Sequence, residues 1–263
     1  MSRFAKLALG VLGGGATIAA ALYAAYAGIT WYRYGRPNRC PTAEESDSLL
    51  DLYMPEYEVA ERHHIQVHAP AETTFAAACG IAMSQSAPIR ILIRTRELVL
   101  SFAAAAKWGL SPLRQIRNQQ EGGSQINGLV AELKARGWGV LAEIPGREIV
   151  LGTVTQPWIA ETVFRAVPPA EFRDFHEPGY VKIAVTLCAD PVSPFQSKAW
   201  TETRVMTTDP VARARFRRYW SLVAPGAILI RKILLRNLKT EAEGRVIGKR
   251  TIEPVAHSFA DPR

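Results

Sequence analysis

The sequence predicts an α+β domain of antiparallel strands closed by one long C-terminal helix, with a single apolar helix ahead of it. Three observations carry this. Between Tyr57 and His68, the residues Tyr57, Val59, His63, Ile65 and Val67 fall on one face of a strand, and Glu58, Arg62, His64, Gln66 and His68 on the other. Two strand-like runs, Trp138 to Ile144 and Glu148 to Thr155, flank Pro145-Gly146-Arg147, a hairpin turn. From Ala212 onward, Phe216, Tyr219, Val223, Ala227, Ile230, Leu234 and Leu238 recur at helical spacing.

The first element is the apolar run. No charged residue occurs from Leu7 through Tyr32, 26 positions in succession. A helix of that length exceeds the ~30 Å hydrocarbon core of a bilayer. Trp31, Tyr32 and Tyr34 suit the headgroup layer, Arg33, Arg36 and Arg39 suit anionic headgroups, and Pro37 ends the helix. The expectation is a transmembrane anchor over residues 1–36 that holds the protein in the inner membrane, single-pass, with the domain on the cytoplasmic side. The alternative is a signal peptide cut near Ala25-Tyr26-Ala27, which leaves a periplasmic or secreted domain.

Residues 37–56 read as a polar, acidic linker, 57–244 as the domain and 245–263 as a tail. Within the domain, Pro70 starts a helix through Met83, and Pro88 restarts the chain into helical spacing from Ile89 to Ala106. Ile126 to Arg136 is a short helix closed by Gly137. Thr162 to Val167 reads as a short strand, Pro168 to Phe172 as a helical turn, and Tyr180 to Cys188 and Lys198 to Thr207 as two further strands. Asp190, Pro191, Ser193 and Pro194 form the loop between those two. Asp209 is an N-cap and Pro210 the first residue of a helix of about 30 residues, which Pro225-Gly226 should kink. The arginines of that helix, Arg231 among them, read as a solvated face.

Composition narrows the function. The chain of 263 residues has net charge +8, and five of its positive charges flank the apolar run; beyond them stand 27 basic and 24 acidic residues. No basic stripe interleaves with stacking aromatics, so nucleic acid is not an expected partner. Cys40, Cys79 and Cys188 are too widely spaced for a disulfide framework or a C-x-x-C metal pair. The chain has no H-E-x-x-H, G-x-S-x-G, P-loop or Rossmann glycine pattern. His63 and His64 point to opposite strand faces, and His64 and His68 lie about 13 Å apart along a strand, too far for one ion. The histidines read as solvated or structural, no catalytic group or metal site is assigned, and no cofactor is expected.

The order of elements resembles the helix-grip fold of the START and polyketide-cyclase superfamily (SRPBCC). The opening from Tyr57 to Phe75, a strand running into Ala69-Pro70 and a helix, looks like that family's start. Leu141 to Glu148 and Thr201-Glu202-Thr203-Arg204-Val205 resemble bacterial members without an assigned function. The resemblance implies a curved antiparallel sheet wrapped around the C-terminal helix, with an apolar cavity between them. It implies binding of a lipid or another apolar small molecule; a cyclase or lyase acting on a polyketide- or lipid-like substrate is the alternative, and an interaction protein whose cavity is filled by its own side chains is a third.

Candidate ligand-binding residues follow. Glu202 and Arg204 share a strand face with Trp200 and Met206, and Glu148 on another strand can join them. A charged pair among apolar neighbours is either a surface salt bridge or the anchor for a ligand's polar head. Trp158, Trp200, Phe216 and Trp220 are then its apolar contacts. Oligomeric state is not legible in the sequence.

Overall fold

The alternation after Tyr57 becomes strand β1, Val59–Val67. The structure, a computed structural model, describes residues 17, 21–34, 47–83, 86–96, 128–159 and 162–252. The other strands are β2 (Gly139–Ile144), β3 (Glu148–Thr155), β4 (Phe164–Arg165), β5 (Val181–Ser193) and β6 (Gln196–Thr207). They form one curved antiparallel sheet of order β1–β6–β5–β3–β2, with β4 paired to the end of β3. The helices are α1 (residues 21–33), α2 (Ser48–Tyr53), α3 (Ala71–Gly80), α4 (residues 87–96), α5 (Leu129–Ala135), α6 (Pro169–Phe172) and α7 (Pro210–Ile252).

The strand from Tyr180 runs further than its sequence suggests. Pro191 still pairs with Ser197, and the register shifts between Pro191 and Ser193. A bulge accommodates a residue that has no N–H to donate. The short helix α5 ends as expected. Gly137 adopts φ 94°, and a Cβ there would lie 2.1 Å from the Phe164 carbonyl oxygen, so only glycine makes the turn.

Helix α7 starts where the cap signal places it. Asp209 Oδ1 accepts from the amides of Val211 and Ala212 at 2.7 and 2.9 Å. The helix is 43 residues long and continues through Pro225. Its buried stripe is Ala212, Phe216, Trp220, Ala224, Leu235, Leu238 and Ala242.

Strand periodicity gives the sheet two faces. Odd-numbered residues of β1 and β6, with Val181 and Ile183 of β5, face α7: Val59, Val181 and Val205 pack with Phe216, Trp220 and Ala224. Further along, Val67 and Ala199 meet Leu238, Ala242 and the alanines of α3. Even-numbered residues face away from α7. There Val150, Val154 and Ala184 pack with Leu50 and Met54, and with Phe172 of α6. The stretch 47–54, which the sequence reads as linker, thus contributes to the core. Asp47 caps α2 by accepting from Leu49 and Leu50, and Leu50 and Met54 are fully buried.

The single-pass inner-membrane placement is corrected. Among the described residues no helix is long and apolar enough to cross a membrane. Residues 7–16 and 18–20 of the apolar run lie outside the described residues. The aromatic residues at the end of the run, expected in a headgroup layer, instead contact the domain. The Trp31 ring lies 4.3 Å from the Arg217 guanidinium carbon, and the Trp31 carbonyl accepts from Arg217 Nη2 at 2.8 Å. Tyr23 hydroxyl donates to the Leu222 carbonyl. Tyr34 is buried against Phe216, at 5.9 Å between ring centroids, and its hydroxyl donates to Glu58 at 2.5 Å. Burial, and the carboxylate that accepts from it, push the Tyr34 hydroxyl far above its ordinary pKa.

Candidate functional site between the sheet and helix α7

The seven predicted ligand-binding residues divide between the two faces of the sheet. Glu148, Trp200, Glu202 and Arg204 lie on the face away from α7, whereas Phe216, Trp220 and Trp158 cluster on the face toward it. The sheet separates the charged pair from the aromatic group, so these residues do not line one pocket.

On the outer face, Arg204 is fully buried and well partnered. Its Nε donates to Glu202 Oε1 at 2.7 Å, and its Nη1 to Asp51 and the Met54 carbonyl at 2.5 and 2.8 Å. Glu202 also receives Arg62 at 3.3 Å, and Arg62 stacks 4.0 Å over Trp200. Trp200 Nε1 donates to Asp190 Oδ2 at 2.7 Å. Such a network fixes α2 and β1 to the sheet.

Glu148 belongs to a different part of that face. Burial first, then the Asp47 carboxylate beside it, raise its pKa to about 7. Its Oε1 is buried without a hydrogen-bond partner among the described residues, while Asp47 Oδ2 accepts from Thr186 at 2.7 Å. Burial likewise raises the Cys79 and Cys188 thiols, Cys79 to about 11, so neither is a ready nucleophile. Both are free, and Cys40 lies outside the described residues.

The inner face has an aromatic end and a polar stretch. Its aromatic end is built by α7. Phe216 stacks on Trp220 at 5.9 Å and meets Tyr219 at 5.8 Å, with Trp158 packed against the cluster. Arg96 of α4 donates to the Tyr219 hydroxyl at 2.8 Å and to the Pro157 carbonyl at 3.0 Å, which ties the β3–β4 connection to the helix.

Next to this end the inner face turns polar. One step along β1 and β6 from the paired Val59 and Val205 come Glu61 and Thr203, also paired across the strands, and then His63 opposite Thr201. From α7, Arg231 Nε donates to Thr203 Oγ1 at 3.2 Å. His63 Nε2 lies 3.7 Å from Glu61 Oε2, beyond hydrogen-bond reach. Two buried polar atoms, His63 Nε2 and Arg231 Nη1, have no hydrogen-bond partner among the described residues. Buried groups of this kind are nearly always satisfied by protein, water or ligand.

The electrostatics agree with a secluded setting. Burial lowers the His63 pKa, and the charges of Arg231 and Lys232 lower it further. Burial raises that of Glu61, with the same two cations opposing. Burial also lowers Arg231, and Glu61 opposes. Two surface hollows, one lined by Asp174, Phe175, His176 and Pro178 and one by Glu72, Pro145, Arg147 and Pro191, lie away from this interior.

Glu61, Thr203 and Arg231 were not among the sequence candidates, and His63 was read as solvated or structural. The signal for the strand residues was parity: Glu61 and His63 share theirs with the buried Val59 and Val67. For Arg231 it was helical drift. Arg231 follows Ala224 by two turns and precedes Leu235 by one, so it falls on the buried stripe.

No family model matches the chain, and no curated protein matches it. Three solved structures are similar to it at low identity. A conserved protein from Geobacillus kaustophilus is 11% identical with a TM-score of 0.29, over 73% of this chain and 97% of that one. The Zhui aromatase/cyclase from Streptomyces sp. R1128 is 12% identical with a TM-score of 0.25, over 72% of this chain and 95% of that one. The di-domain ARO/CYC BexL from the BE-7585A biosynthetic pathway is 15% identical with a TM-score of 0.25, over 70% of this chain and 46% of that one. The likeness is one of strand and helix arrangement, and at these scores it carries no argument about ligand or chemistry.

Proposed function

We propose that this protein binds a small, mostly apolar molecule between the inner face of the sheet and α7. One observation carries the reading: buried polar atoms without partners, His63 Nε2 and Arg231 Nη1, beside an aromatic cluster of Trp158, Phe216, Tyr219 and Trp220. A few convergent polar groups at the edge of an apolar interior are the usual make-up of a small-molecule site. Lipids and polyketide-like molecules both fit this description. Solvent extraction of the purified full chain, followed by mass spectrometry, tests the reading. The expected result is a co-purifying apolar compound that is lost when Ala227→Trp fills the aromatic end. A protein that carries no such compound, and takes none up from a mixture of lipids and aromatic polyketides, contradicts it.

A second reading, a cyclase- or lyase-type enzyme, is favoured by one residue. The lowered pKa leaves His63 as a neutral imidazole near pH 7, the form a general base needs, and it faces the interior rather than solvent. Under this reading His63→Gln abolishes conversion of a bound β-keto substrate. Conversion at the wild-type rate by His63→Gln would exclude it.

A further inference from the structure

We infer that the polar end of the ligand is an anionic oxygen, of a carboxylate, sulfonate or phenolate, seated on Arg231. This rests on the binding reading above and adds the sign of the charge recognised.

Arg231 occupies a position on the buried stripe of α7 where an apolar residue would serve packing better. Its neighbours one turn away along the stripe are Ala227 and Leu235. A guanidinium placed there is costly unless its charge and its donors are met. Only part of that requirement is met from within. Thr203 accepts from Nε at 3.2 Å and thereby sets the plane of the guanidinium, and Nη1 stays buried and without an acceptor among the described residues.

The one carboxylate acting on this guanidinium is Glu61, and no ion pair joins the two among the described residues. Instead Glu61 Oε2 lies 3.7 Å from His63 Nε2. The charged side chains at this part of the interior are Glu61 and Arg231, Lys232 on α7 being exposed, and burial lowers the His63 pKa. A guanidinium with a free Nη1 takes an anionic oxygen through a charge-assisted hydrogen bond, and His63 Nε2 can donate to the same group in the tautomer that carries its proton there. A cationic head would leave Nη1 without an acceptor.

Two fluorescent probes separate the inference from the reading it rests on. 8-Anilinonaphthalene-1-sulfonate and N-phenyl-1-naphthylamine share an aromatic skeleton and differ by the sulfonate. With the full chain, the sulfonated probe should bind at least about tenfold more tightly than the neutral one. Arg231→Met should erase that preference, and Arg231→Lys should keep part of it. Equal binding of the two probes, or a preference that survives Arg231→Met, overturns the inference and leaves the binding reading standing. If neither probe binds, both fall. Should Arg231→Met fail to fold by far-UV circular dichroism, Arg231→Lys and Thr203→Val carry the test, since each should reduce the preference for the sulfonated probe.

Discussion

Arg204 donates to Glu202 at 2.7 Å with both side chains buried, and the pair lies on the face of the sheet turned away from α7. The ion pair most conspicuous in the sequence therefore locks α2 to the sheet, and it is the less conspicuous Arg231 that reaches the interior. Removing one partner of a buried pair strands the other, at a cost of about 3–5 kcal/mol. Arg204→Ala is expected to lower the urea midpoint by that measure, and under conditions where it stays folded to bind N-phenyl-1-naphthylamine like the wild type. A change in probe affinity without a change in stability would reverse the assignment.

The division between faces shows what was legible in the sequence. The alternation of β1, the hairpin around Gly146 and the Asp209 cap of α7 are local signals, and each appears in the structure. Which face of a strand is inside is not local. Trp200, Glu202, Arg204 and Met206 share a face, but the element that covers it, α2, is six residues long and lies in an acidic stretch without periodicity. Arg231 was hidden for a different reason. A stripe read as Ala227, Ile230 and Leu234 leaves it outside, whereas the 3.6-residue period carries the stripe past it to Leu235. The apolar run from Leu7 through Tyr32 suggested a bilayer because 26 uncharged residues are long enough to span one, and the aromatics at its end pack on α7 and its arginine.

Tyr34 gives a direct test of that packing. Its ring lies against Phe216 and its hydroxyl is bonded to Glu58, which also accepts from Thr207 at 2.7 Å. Tyr34→Phe should cost about 1 kcal/mol for the lost hydrogen bond. Tyr34→Ala should cost about 3 kcal/mol for the lost ring. Chemical denaturation measures both, and an unchanged midpoint for Tyr34→Ala would detach this segment from the folded unit.

The Asp47–Glu148 contact makes stability depend on pH. Glu148 is raised to about 7, by burial first and then by Asp47 beside it, with Asp190 adding to the rise and Arg147 opposing. The folded state thus holds a proton that an unfolded carboxyl, with a pKa of about 4.3, has released. Its contribution is fully present below that lower value and is lost as pH rises through about 7. Stability should therefore fall between those limits by on the order of 3 kcal/mol. Glu148→Gln should flatten that slope in a series of urea titrations, and a slope that persists would assign it to another group.

At Gly137 the backbone itself is constrained. Any side chain there meets the Phe164 carbonyl at a φ that L-residues avoid. Gly137→Ala is expected to destabilise by about 1–3 kcal/mol, read as a fall in the thermal midpoint. An unchanged midpoint would mean that the turn after α5 yields freely.

The site between sheet and helix is tested most directly by the tryptophans, because they lie on both faces. Trp158 and Trp220 belong to the inner aromatic cluster, and Trp200 lies on the outer face with its Nε1 held by Asp190. In two-dimensional nuclear magnetic resonance spectra of the 15N-labelled full chain, these three of the six indole signals can be assigned by single Trp→Phe variants. Titration with N-phenyl-1-naphthylamine should shift the Trp158 and Trp220 signals together and leave Trp200 in place. A shift confined to Trp200, or no shift in any of the three while the probe binds, would contradict the site proposed for this protein.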